Sequence, residues 1–149
     1  MSTTTSASTA VERSTMTGAL RNGAVAGLAG GLVFGVMMAI QGMLPMVGML
    51  IGQESATIGL IVHMLISAFI GAGFGLLLAR VSMSWGTALA VGMGYGLVWW
   101  ILGALVLMPL MLGMGEMVLR VGQPQWISLI GHVIFGLVTG AAFLLLERR

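Results

Sequence analysis

The chain has no cysteine, no lysine and no aspartate, and all of its formal charge comes from six Arg and four Glu. Without cysteine there are no disulfides and no thiolate metal sites. Only 7% of the residues are charged, against about 25% in an ordinary soluble domain, so the chain cannot build a solvated globular surface. Six scattered arginines make no clustered basic face, which excludes nucleic-acid binding. No Ser/His/acid triad, paired-carboxylate site, phosphate-binding glycine loop or HExxH motif is present. The residues therefore point to a protein that is not an enzyme.

What is there is apolar: 58% of the residues are hydrophobic, and the mean hydropathy is +1.09. Residues 22–53, 55–79, 81–115 and 121–146 contain neither Arg nor Glu. Each stretch exceeds the ~20 residues a helix needs to cross ~30 Å of hydrocarbon. The expected spans are 22–44, 57–79, 85–109 and 125–146. Positions 2–17 hold ten Ser or Thr, so residues 1–21 read as a flexible, polar cytoplasmic tail. The apolar run after Arg21 is longer than a signal-peptide core and lacks a small-residue cleavage site, so it reads as the first span. Only residues 80–84 separate spans two and three, which predicts antiparallel neighbours. Pro45 and Pro109 stand in or beside the other two connections and are expected to kink or end their helices.

Arg13, Arg21, Arg80, Arg148 and Arg149 fall on one side of these spans and Arg120 alone on the other. The positive-inside rule then puts both termini in the cytoplasm of a cell whose inner membrane holds the protein. A shift of 69 lays Leu60, Ile61, His63, Gly71, Ala72, Phe74, Leu76, Leu77 and Arg80 on Leu129, Ile130, His132, Gly140, Ala141, Phe143, Leu145, Leu146 and Arg149. A shift of 65 lays Gly31, Leu32, Val33, Ala39, Met43, Gly48 and Met49 on Gly96, Leu97, Val98, Ala104, Met108, Gly113 and Met114. The fold expected is an all-α integral membrane four-helix bundle. It consists of two tandem-repeated hairpins, 22–80 and 81–149, related by a pseudo-twofold axis along the membrane normal.

Small residues recur every four positions: Gly23, Gly27, Gly31 and Gly35; Ser67, Gly71 and Gly75; Gly92 and Gly96; Gly136 and Gly140. Such stripes let helix backbones approach closely where lipid supplies no hydrophobic drive. The two histidines, His63 and His132, occupy one repeat position and head these stripes at i+4 steps, so both should face protein at equal depth. A polar side chain at that depth is a functional candidate. Several readings stay open. Each imidazole can be hydrogen-bonded across the bundle, to Gln41 or Ser67, or the pair can ligate one b-type haem. A third involves Met43, Met46 and Met49 with Met108, Met111, Met114 and Met117, whose thioethers suit Cu(I), as imidazole also does. A spacing of three drifts around a helix, however, and Met is also flexible core filling. Trp85 and Trp126 read as interfacial anchors and Trp99 and Trp100 as packing residues.

The run GGLVFGVMMAIQGMLPMVGMLIG (30–52), the run YGLVWW (95–100) and the repeated His/Gly helices resemble small uncharacterised four-span membrane proteins of prokaryotes. The resemblance implies a membrane location and carries no activity. The function classes expected are therefore a haem or soft-metal site in the outer half of the bundle, a packing or assembly subunit without chemistry, and a small transporter or channel working as an oligomer. The partners expected are the lipid bilayer and a further copy or a larger membrane complex.

Overall fold

The computed structural model describes residues 4–81 and 83–148. Helix α1 (Thr4–Ile40) leads to a short α2 (Leu44–Gly48) and then α3 (Ala56–Leu78). Helix α4 (Trp85–Trp99) passes through a π-helical segment (Trp100–Leu107) into α5 (Met108–Met111), and α6 (Gln123–Glu147) follows. Four stretches, Met16–Ile40, Ala56–Leu78, Trp85–Met111 and Gln123–Glu147, are long and apolar enough to cross a membrane. Large apolar side chains such as Ile40, Leu65, Phe69 and Leu77 stand exposed along them, as side chains that face lipid must.

The helix ends follow from local chemistry. Helix α1 stops at Gly42, whose φ of 67° is the left-handed conformation that favours glycine. There the Gly42 N–H reaches the Ala39 carbonyl and the Met43 N–H the Met38 carbonyl, a Schellman pair. Gly113 (φ 72°) ends α5 in the same way, through the Leu110 and Pro109 carbonyls. Ser55 and Ser84 cap α3 and α4 by accepting the Ile58 and Thr87 N–H groups. At the start of α6 the Gln125 side chain accepts the Gly122 N–H at 3.0 Å.

Two expectations about the ends change. Of the tail expected over 1–21, residues 1–3 lie outside the described residues, as does Arg149. From Thr4 the backbone is helical and continuous with the first span. No Gly or Pro stands between Thr4 and Thr17, and extending an existing helix is far easier than nucleating one. Pro109 does not end the third span either. It sits in the first turn of α5, after the chain has widened to i→i+5 pairing, with the Met108 N–H on the Gly103 carbonyl. Pro109 has no N–H to offer the carbonyl four residues back. That carbonyl, of Leu105, accepts the Leu119 N–H at 2.9 Å from the following connection, where Leu119 itself holds a φ of 57°.

Glycine decides which helices meet. A Cβ on Gly23 or Gly27 would run into the carbonyl oxygen of Gly71 or Ser67, and one on Gly75 into that of Ala19. Gly31 faces the Ser67 side chain and Gly35 faces His63. Helices α1 and α3 thus touch backbone to backbone. Helices α4 and α6 do the same, with Gly92 against Gly136, Gly96 against the His132 carbonyl and Gly140 against that of Ala88. Helix α1 also packs on α6, where Gly30 lies against Thr139 and Phe135, and Gly131 against the Phe34 ring. By contrast α3 and α4, expected as close neighbours, are held apart by side chains. Phe74 meets Tyr95 edge-on at 5.1 Å, and the Tyr95 hydroxyl donates to the Ile70 carbonyl at 2.8 Å.

Gly71→Val and Gly92→Val should each destabilise the protein by about 1–3 kcal/mol, because the added carbons must displace opposing backbone. Gly94, on the same helix as Gly92, has nothing within 4 Å of the place a Cβ would occupy, and Gly94→Ala should be neutral or stabilising by up to about 1 kcal/mol. Thermal unfolding in detergent, followed by circular dichroism, separates the two groups.

Candidate functional site

In the half of the molecule that carries the Pro45 and Pro109 connections, the separation of α3 from the third span leaves a cavity of about 440 Å³. Phe34 and Met38 of α1 and His132 and Phe135 of α6 line its back. Val62, His63 and Ile66 come from α3, and the π-helical segment contributes Gly103, Ala104 and Leu107. Val47, Leu50 and Ile51 also line the cavity. Among the described residues, no charged side chain borders it.

Both histidines reach this cavity, and both rings touch Phe34 edge-on, at centroid distances of 5.4 Å for His63 and 4.9 Å for His132. Those two contacts end to end are the greatest separation the imidazoles can have. The two rings therefore come to one place, against Phe34, but their bonding differs. His63 Nε2–H donates across to the Gly31 carbonyl of α1 at 2.9 Å. His132 Nδ1–H donates to the Ser128 carbonyl of its own helix at 2.8 Å, with the Ser128 hydroxyl 3.3 Å from the same nitrogen. The expected partners, Gln41 and Ser67, are not used: Gln41 is exposed at the end of α1, and Ser67 is buried at the cavity wall.

The repeat differs beside the rings. The shift of 65 lays Gly35 on Trp100. Gly35 leaves room for His63, whose Cδ2 would be 3.3 Å from a Cβ there. At the matching position the Trp100 indole donates to the Gln125 carbonyl at 3.0 Å and stacks on Trp126 at 6.2 Å.

Of the methionines singled out, Met43, Met108 and Met111 line the cavity, whereas Met46, Met49 and Met114 are exposed away from it and Met117 takes no part. The spacing of three does not stack the sulfurs: Met43 precedes α2, Met46 lies in it and Met49 begins the tighter turn that follows, and the second run is broken by the helix end at Gly113. Met38 also lines the cavity, one helical turn after Phe34; the i+4 step was the signal for both. Among the described residues, no group of three or more His, Cys, Asp or Glu could hold a metal. A metal here would need thioether as well as imidazole ligands.

A shared haem fits poorly. It requires two ring nitrogens about 4 Å apart on one iron, each bond being ~2 Å. The Phe34 ring lies against both imidazoles. His63 also offers only the nitrogen next to its own backbone, since its Nε2–H is held by Gly31. No family model, curated protein or solved structure matches the chain, so the site must be read from its own geometry.

Because His63 bonds across a helix interface and His132 within its helix, His63→Ala should cost about 1 kcal/mol of stability and His132→Ala less. Because both rings pack on Phe34, the double variant should depart from the sum of the two by about 0.5 kcal/mol or more. Denaturant titration in mixed micelles measures all three; strict additivity would mean that the Phe34 contacts do not couple the rings.

Proposed function

We propose that this chain is a multipass protein of the cell membrane that binds a small lipophilic molecule drawn from the bilayer, and that it does so without catalysing a reaction. The observation that carries this reading is the cavity: about 440 Å³, bordered by no charged side chain among the described residues, with two imidazoles in its lining. Sites for small organic ligands measure roughly 300–1,000 Å³ and combine apolar walls with a few polar groups. A bare cation with ligands at ~2.0–2.3 Å fills only a fraction of that space. Four exposed apolar residues at the rim, Ile51, Ile66, Leu107 and Met111, suit entry from lipid.

The same reading includes the repeat. Two hairpins around a pseudo-twofold axis would leave a cavity between them, and three correspondences support this. Gly27 against Gly71 matches Gly92 against Gly140 under the two shifts, and Gly23 with Gly71 matches Ala88 with Gly140. Phe74 and Phe143, which correspond at 69, touch each other at 5.6 Å, as residues beside such an axis would. The stripes are occupied within the chain, which weakens the reading as an assembly subunit. Both termini are assigned to the cytoplasm on the arginine bias.

A second reading is favoured by Met38, Met43, Met108 and Met111 standing on the same cavity as the imidazoles: a Cu(I) site of soft donors.

In nanodiscs, 1-bromonaphthalene should quench Trp99, which lines the cavity, with a saturable component that disappears when Gly103→Leu and Ala104→Leu fill the space. Linear quenching in both proteins overturns the lipophile reading. Stoichiometric binding of Ag(I), lost in Met43→Leu with Met108→Leu, would favour the copper site instead. A green fluorescent protein fused after Arg149 should fluoresce; activity from a fused alkaline phosphatase would reverse the orientation.

A further inference from the structure

We infer that the molecule bound in this cavity carries a hydroxyl group and is held as a hydrogen-bond donor, a lipophilic phenol or alcohol in place of a ketone, ether or ester. The inference rests on the lipophile reading above and adds the chemistry of the ligand's polar end. A backbone carbonyl only accepts hydrogen bonds. The ring nitrogens bonded to carbonyls, Nε2 of His63 to Gly31 and Nδ1 of His132 to Ser128, must therefore be the ones that carry hydrogen. Among the described residues, no acidic side chain borders the cavity to pair with an imidazolium, and each neutral ring has a single N–H. What remains is one lone pair on each ring, at Nδ1 of His63 and Nε2 of His132.

Neither of these nitrogens has a protein partner among the described residues, and neither is among the buried side-chain atoms without one, which are Trp99 Nε1 and Thr139 Oγ1. Both lone pairs are thus fixed acceptors on residues that line the cavity. An apolar ligand with only oxygen lone pairs would set acceptor against acceptor there. A hydroxyl donates to either ring. Ser67 and Ser128, the hydroxyls among the lining residues, can rotate to donate or accept, so they do not discriminate between ligands. The imidazoles do, because their hydrogens are already held by main-chain carbonyls.

The test uses three probes of one shape in nanodiscs holding the full chain: 4-octylphenol, its methyl ether 4-octylanisole, and 4-octylacetophenone. Concentrations are referred to the lipid phase, and binding is read from Trp fluorescence. The phenol should bind about five- to tenfold more tightly than either acceptor-only probe, the effect of one hydrogen bond in a dry site. His132→Phe, which loses only a bond within its own helix, should narrow that ratio, and His132→Phe with His63→Phe should abolish it. Equal affinity of the three probes for the unmodified protein overturns the donor assignment while leaving a lipophile site in place. Saturable binding of none of them overturns both.

Discussion

The close approach of glycine to main-chain carbonyls across two helix pairs is the constraint on which the other features depend. Lipid is as apolar as leucine, so burying leucine between spans gains little, and association relies on backbone contact and dispersion. Helices α1 and α3, and separately α4 and α6, meet along faces where a single methyl group would collide with the opposite chain. Between the pairs, Gly30 and Gly131 let α1 meet α6. The other residues where the pairs face one another are large, with Phe74, Tyr95 and Phe143 in one half and Phe34, Met38 and Phe135 in the other. In the half nearer the termini the aromatics fill the gap, and they leave Phe74 and Phe143 almost wholly buried. In the other half they do not, and the cavity results.

The third span enlarges that space. Eight residues of π-helix are unusual, since π geometry mostly occurs as single turns and often at functional sites. Here the segment brings Gly103 and Ala104, the smallest side chains in it, to the cavity, so the wall recedes where the backbone is widest. The Leu119 N–H holds the Leu105 carbonyl, and Leu119 adopts a left-handed conformation that is costly for a branched side chain. A conformation of that kind persists only where the surrounding contacts hold it, which ties the connection after α5 to the geometry of the cavity wall.

The existence of four membrane-capable helices was legible because charge is excluded from long stretches; the gaps between Arg and Glu mark the limits of the second and fourth closely, whereas the first runs through Arg21 and ends well before Glu54. Gly23, Gly27, Gly71, Gly92 and Gly136 were legible for a similar reason: a four-residue period places them on one line of a helix. Period alone could not tell Gly92, which touches another backbone, from Gly94, which touches nothing. It could bring His63 and His132 to one depth but not choose their hydrogen bonds. Those depend on the pairing of helices, which puts the Gly31 carbonyl and Gly35 against His63. The π-helix was not legible at all. It needs a long-range bond from Leu119, and Pro109 read locally indicates a kink. Phe34, central to the site, looked like one more apolar residue in an apolar run.

The two imidazoles give this apolar space its chemical direction. In water a histidine offers a donor and an acceptor to any solute and selects little. In a cavity bordered by no charged side chain among the described residues, each ring's hydrogen is already engaged by a main-chain carbonyl, and only acceptors remain. The helix pairing supplies one of those carbonyls, at Gly31, and glycine at Gly35 leaves space for the ring that uses it. The small residues that hold α1 against α3 therefore also set which atom of His63 is left for a ligand. Packing and recognition in this chain are then one arrangement, since closing the helices requires glycine and the same glycines orient the ring.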